Sequence, residues 1–82
     1  MEKQNMVELT NREREILLHI AQGYSSQEIA IKLFVSKGTV ETHRRNIMQK
    51  MGTNKLAKVI VLAFHYQIIE TDKKGKVKLC LP

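Results

Sequence analysis

A disulfide framework is excluded at the outset, because Cys80 is the only cysteine in the chain, and a lone thiol suits a reducing cytoplasm. No apolar run is long enough to cross a bilayer, and Met1 to Glu8 lacks the apolar stretch of a secretion signal. A cytoplasmic chain with no membrane partner is therefore expected. Catalytic groupings are missing as well. His19, His43 and His65 stand far apart, and none makes a metal-ligand spacing with Cys80. No phosphate loop, no Ser/His/Asp grouping and no paired carboxylates in a plausible pocket can be found. Neither an enzyme nor a metal or cofactor is expected. Internal repeats and low-complexity tracts are absent too.

What remains is a chain of 82 residues, enough for one domain that must be compact and helical or supported by a partner. Its net charge of +6 is unevenly placed. Residues 1–31 carry three bases against five acids, and residues 59–82 carry four against two. Between them, Lys32, Lys37, Arg44, Arg45, Lys50, Lys55 and Lys58 face only Glu41. A local positive field of this kind suits a polyanion, although a merely solvated basic face would look the same from charge alone.

Helix starts are well marked. Thr10-Asn11-Arg12-Glu13 has the form of a capping box, and Ile16, Leu17, Ile20 and Ala21 follow at helical spacing until Gly23. Ser25-Ser26-Gln27-Glu28 repeats the box, with Tyr24 and Ile29 placed as a hydrophobic staple. This second helix is short, about Ser26 to Leu33, with Ile29, Ala30 and Leu33 inward; the small Ala30 permits a close crossing. Ser36 caps a third helix, Lys37 to Met51, stopped by Gly52. At about 100° per residue, Ile47 and Met51 fall within about 20° of Val40, while Glu41, Thr42, Arg45 and Gln49 fall on the opposite half. Arg44 lies at the edge, with its stem packed and its guanidinium expected to reach outward. A fourth helix is expected from about Asn54 to Ile69, then a polar turn or tail, with Lys76 to Leu81 alternating like a short strand. The expected fold is all-α: a compact four-helix domain over residues 9–69, with an N-terminal extension of residues 1–8 and a C-terminal tail of residues 70–82. Only Phe34 and Val35 separate the second helix from the Ser36 cap of the third, which forces the sharp corner of a helix-turn-helix.

Leu9-Thr10-Asn11-Arg12-Glu13-Arg14-Glu15-Ile16-Leu17, Ala21-Gln22-Gly23 and Glu28-Ile29-Ala30 resemble the first half of a LuxR-type helix-turn-helix domain. Val35-Ser36-Lys37-Gly38-Thr39-Val40-Glu41-Thr42-His43, Asn46-Ile47 and Lys50-Met51 resemble its second half, and the likeness runs from about Leu9 to Ala63 without a gap. Region 4 of a sigma factor begins similarly, but Thr42-His43-Arg44-Arg45-Asn46-Ile47 fits the LuxR pattern better. The resemblance implies a four-helix bacterial transcription regulator, a homodimer through its fourth helix, double-stranded DNA as partner and a contact with RNA polymerase. It also implies that Glu41, Thr42 and Arg45 face the major groove. Arg45 suits guanine O6 and N7, Thr42 a thymine methyl, and Glu41 cytosine N4. Glu41 departs from the Lys or Arg common at its position; an i,i+4 pair with Arg45 is the alternative reading.

Phosphate contacts are expected from Lys37 and Thr39 at the start of the third helix, from Ser26 at the start of the second, and from Lys50 and Lys55 at the far end. An exposed Gly38 hints at close backbone approach to DNA. On the fourth helix, Leu56, Val59, Ile60 and Ala63 are expected to pack inward. Val61, Leu62, His65 and Ile68 are expected to form a dimer face, unless the tail folds back over them. A small helical protein-interaction module is the competing class, in which the positive charge serves solubility alone.

Overall fold

The structure, a computed structural model, describes residues 7–80; the first six residues and the last two lie outside it, and with them most of the expected N-terminal extension. Four helices and a small hairpin follow in order: α1 (Asn11–Ala21), α2 (Ser26–Leu33), α3 (Lys37–Met51), α4 (Leu56–His65), β1 (Ile69–Thr71) and β2 (Val77–Leu79). Both expected capping boxes form. The Thr10 hydroxyl accepts from the Glu13 amide at 3.0 Å while the Glu13 carboxylate accepts from the Thr10 amide at 2.9 Å. Ser25 and Glu28 repeat the exchange at 3.1 and 2.8 Å. Ser36 caps α3 by accepting from the Thr39 amide at 3.0 Å. Each bond satisfies an amide that a helix start would otherwise leave without a partner.

All four helices end in one way. A residue in the left-handed region follows the last turn, and the next residue's amide reaches back to a carbonyl five positions earlier: Tyr24 to His19, Val35 to Ala30, Thr53 to Met48 and Ile68 to Ala63, at 2.8 to 3.1 Å. The left-handed positions are Gly23, Phe34, Gly52 and Gln67. This closed C-terminal motif satisfies carbonyls of the last turn and turns the chain sharply. At Gln67 it ends α4 at His65, four residues before the expected end. The chain then has room to return, and Ile69 to Thr71 pairs antiparallel with Val77 to Leu79 in the register Ile69 opposite Leu79. Asp72 holds the connecting turn by accepting from the amides of Lys74 and Lys76 at 2.8 and 2.9 Å, which keeps its carboxyl below the usual range. The expected strand near Lys76 is thus present, and the fold is four-helical with a hairpin in place of a loose tail.

One core joins these elements. Ile16, Leu17 and Ile20 of α1, Ile29 and Ala30 of α2, Val40, Ile47 and Met51 of α3, and Val59 and Ala63 of α4 are all buried. Ile68 and Ile69, just beyond α4, complete it. Full burial of each large aliphatic side chain contributes about 1.5–3 kcal/mol, enough to fix the helices without a disulfide. The hairpin adds Val77 and Leu79 to the rim, and the Gln22 side chain ties α1 to it by donating to the Val77 carbonyl at 3.1 Å.

Candidate nucleic-acid interface

Helix α3 presents two unlike faces. Val40 and Ile47 are 0% and 1% exposed, whereas Lys37, Gly38, Thr39, Glu41, Thr42, Arg45 and Gln49 are all exposed. The split follows the helical period: the apolar residues recur at seven and four positions, and the residues between them turn outward. Among the described residues no ion pair joins Glu41 to Arg45. The intrahelical pair is therefore not formed, and both charges stand free on the outer strip.

The helix is held from behind by two polar ties. Glu13 on α1 is 4% exposed, and its Oε1 accepts from the Lys50 ammonium at 2.8 Å as well as from Thr10. Burial raises the Glu13 carboxyl, but the bonds from Lys50 and the Thr10 amide and the nearby charges of Lys50 and His43 outweigh it, so the group sits below its usual range. At the other joint the Arg44 guanidinium donates to the Ser26 hydroxyl at 2.5 Å. These ties set the angle of α3 against α1 and α2, and thus where its outer strip points.

They also correct the expected site. Ser26 is 4% exposed and its hydroxyl is engaged by Arg44, so it belongs to the α2–α3 joint and is not presented to a phosphate. Arg44, expected to reach outward, is turned back into that joint. Lys50 is engaged by Glu13 and serves the α1–α3 joint first. The Thr39 hydroxyl shares a hydrogen bond with Ser36 at 2.9 Å, while Lys37 is exposed at the start of α3 and Lys55 just before α4. Gly38 lies in a regular helical turn, and a β-carbon there would meet only the Ser36 hydroxyl at 3.8 Å, so packing does not require glycine.

A groove of about 730 Å³ opens beside the last turns of α3, lined by Arg45, Met48, Gln49, Gly52, Thr53 and Asn54. It brings the α3–α4 turn alongside the outer strip, which periodicity within α3 alone does not reveal.

The expected dimer face is narrower than its sequence suggested. Ile68 is 3% exposed and lies in the core, because the left-handed Gln67 folds it inward. Leu62 is half-buried and packs against the core. Val61 is 62% exposed, and His65 is exposed with its ring edge-on to Tyr66 at 5.2 Å. Phe64, which the sequence reading passed over, is 39% exposed beside them; its place three residues after Val61 was the available signal. Among the described residues no helix is long and apolar enough to cross a membrane, and no cluster of potential metal ligands occurs.

The profile of the family described as "Bacterial regulatory proteins, luxR family" matches residues 7–63. The response regulator protein VraR of Staphylococcus aureus is 44% identical over 62 residues, which are 76% of this chain and 30% of VraR. The VraR protein of Staphylococcus epidermidis gives the same values. The chain thus spans about a third of the length of these relatives. Among solved structures, the transcription factor GerE superposes with a TM-score of 0.66 at 37% identity, covering 70% of this chain and 85% of GerE. VqmA of Vibrio cholera, in a ligand–DNA complex, superposes with a TM-score of 0.68 at 30% identity, covering 78% of this chain and 28% of VqmA.

Proposed function

Since the chain belongs to the luxR family of bacterial regulatory proteins, whose helix-turn-helix is a DNA-binding module and not an enzyme, we propose that it recognises a specific DNA sequence by seating α3 in the major groove. The observation that carries this is the free outer strip of α3. Glu41, Thr42 and Arg45 are exposed and have no side-chain partner among the described residues, on a helix whose other face is locked to α1 and α2. Preorganisation of this kind lets base-edge contacts form without first breaking contacts inside the protein.

Roles follow from chemistry. Arg45 donates two hydrogen bonds to guanine O6 and N7, Thr42 packs its methyl on a thymine methyl, and Glu41 accepts from cytosine N4. Lys37, the first-turn amides near Thr39, and Lys55 hold phosphates on either side and set the register. Two copies meet through Val61, His65 and Phe64 on the outer face of α4, with Leu62 at its edge, and read two half-sites. A regulator of this kind works in the cytoplasm and meets RNA polymerase at the promoter.

Selection of binding sites from a randomised duplex pool, followed by titration of the selected site at two salt concentrations, tests the reading. Enrichment of one sequence, with affinity falling steeply as salt rises, is expected. Absence of any complex at either salt concentration would leave the protein-interaction module as the better account.

A further inference from the structure

We infer that Gln49 is a fourth sequence-reading position, selecting an adenine one or two base pairs beyond the pair read by Arg45. The inference rests on the seating of α3 in the major groove and extends it. Gln49 is exposed and follows Arg45 by four residues, which places it about 40° round the helix axis and about 6 Å further along it. With base pairs spaced at about 3.4 Å, that displacement matches one or two steps of the duplex.

Three observations separate Gln49 from an idle surface residue. It lines the same groove as Arg45, together with Met48, Thr53 and Asn54. Its carboxamide has no hydrogen-bond partner among the described residues. In this it matches Glu41, Thr42 and Arg45 and differs from Lys50, Arg44 and Thr39, which are tied to Glu13, Ser26 and Ser36. The fold therefore places no demand on the Gln49 head group, which stays in line with Glu41 and Arg45.

The chemistry of the side chain names the base. A carboxamide offers one acceptor and one donor side by side, the complement of adenine N6–H₂ and N7 in the major groove. A position serving phosphates alone would gain from a cation, as at Lys55, and glutamine carries no charge. Beside the groove, the exposed Asn54 and Lys55 are placed to meet a sugar–phosphate strand that flanks the base edge read by Gln49.

Binding-site selection on the wild-type chain, Gln49→Ala and Gln49→Lys, all at one salt concentration, tests this. The wild type should enrich adenine at a position one or two pairs from the one governed by Arg45. Gln49→Ala should weaken that preference about tenfold and leave the other positions unchanged. Gln49→Lys should move the preference to guanine, a change that no purely structural role produces. Identical preferences in all three proteins would overturn the inference while leaving α3 as the reading helix, as would a uniform loss of affinity in Gln49→Ala. If the wild type enriches no sequence at all, the inference falls together with the reading beneath it. All three proteins should melt together, since Gln49 makes no contact on which the fold depends.

Discussion

Glu13→Ala removes the carboxylate that links the start of α1 to the far end of α3. Two contributions are lost. The charge-assisted bond from Lys50, at 2.8 Å, stands at the lower end of the range for such bonds, about 1.5 kcal/mol, because the Lys50 side chain is 40% exposed. The reciprocal half of the capping box adds about 0.5–1 kcal/mol. The sum, about 2–2.5 kcal/mol, corresponds to a fall in Tm of roughly 10–15 °C for a domain of this size. Circular dichroism melts at neutral pH measure it. A second arm uses acid. Because the folded carboxyl lies below its ordinary value of 4.5, its charge stabilises the fold fully above that value, and the contribution is lost as pH falls through the lowered one. Glu13→Gln keeps an acceptor for the Thr10 amide but carries no charge, so its melting point should fall less than the wild type's below pH 4.5. A Glu13→Ala protein melting within about 3 °C of wild type would refute the reasoning, and so would identical acid profiles for wild type and Glu13→Gln.

Other consequences can be checked with the same purified chain. Ile68→Ala should cost about 2–5 kcal/mol in a urea melt, since the side chain is fully packed; a loss below 1 kcal/mol would return Ile68 to the surface. Val61→Glu should abolish self-association in analytical ultracentrifugation with Tm unchanged, whereas persistence of the dimer would remove α4 from the interface. Phe34 is 94% exposed and has φ 59°, so Phe34→Gly should relieve left-handed strain and stabilise the fold by about 0.5–1 kcal/mol. A loss of stability would mean that the ring makes a contact within the fold.

The starts of the first three helices were legible because side chains mark them: Thr10, Ser25 and Ser36 each sit before an apolar period, and the first two have a glutamate three residues on; α4 has no side-chain cap and starts at Leu56, two residues after its expected start. Two of the ends were legible for the same reason, through Gly23 and Gly52. The end of α2 at Leu33 was legible from the cap that follows at Ser36, although the left-handed turn at Phe34 was not, and the end of α4 was missed because Gln67 adopts a conformation that its identity does not announce. The turn at Gln67 has further consequences. With α4 extended to Ile69, Ile68 fell on the outer face and the tail had no anchor, whereas the real turn buries Ile68 and Ile69 and closes the hairpin. The outer strip of α3 was legible from its period alone. The ties behind it were not, since Ser26 to Arg44 and Glu13 to Lys50 are tertiary contacts between residues 18 and 37 positions apart. Polar residues near a positive helix read as phosphate ligands in sequence, and only the packing of helices reveals which of them face inward.

Arg45 carries the central claim, that the outer strip of α3 reads base edges. Affinities of wild type and Arg45→Ala should be measured at fixed salt on the selected site and on random duplex, with melting curves of both proteins alongside. Unchanged melting, a loss of about 1–3 kcal/mol on the selected site and a much smaller loss on random DNA are expected. Equal losses on both duplexes would contradict the claim by reducing Arg45 to a phosphate contact, and a large fall in Tm would contradict the assignment of the face itself.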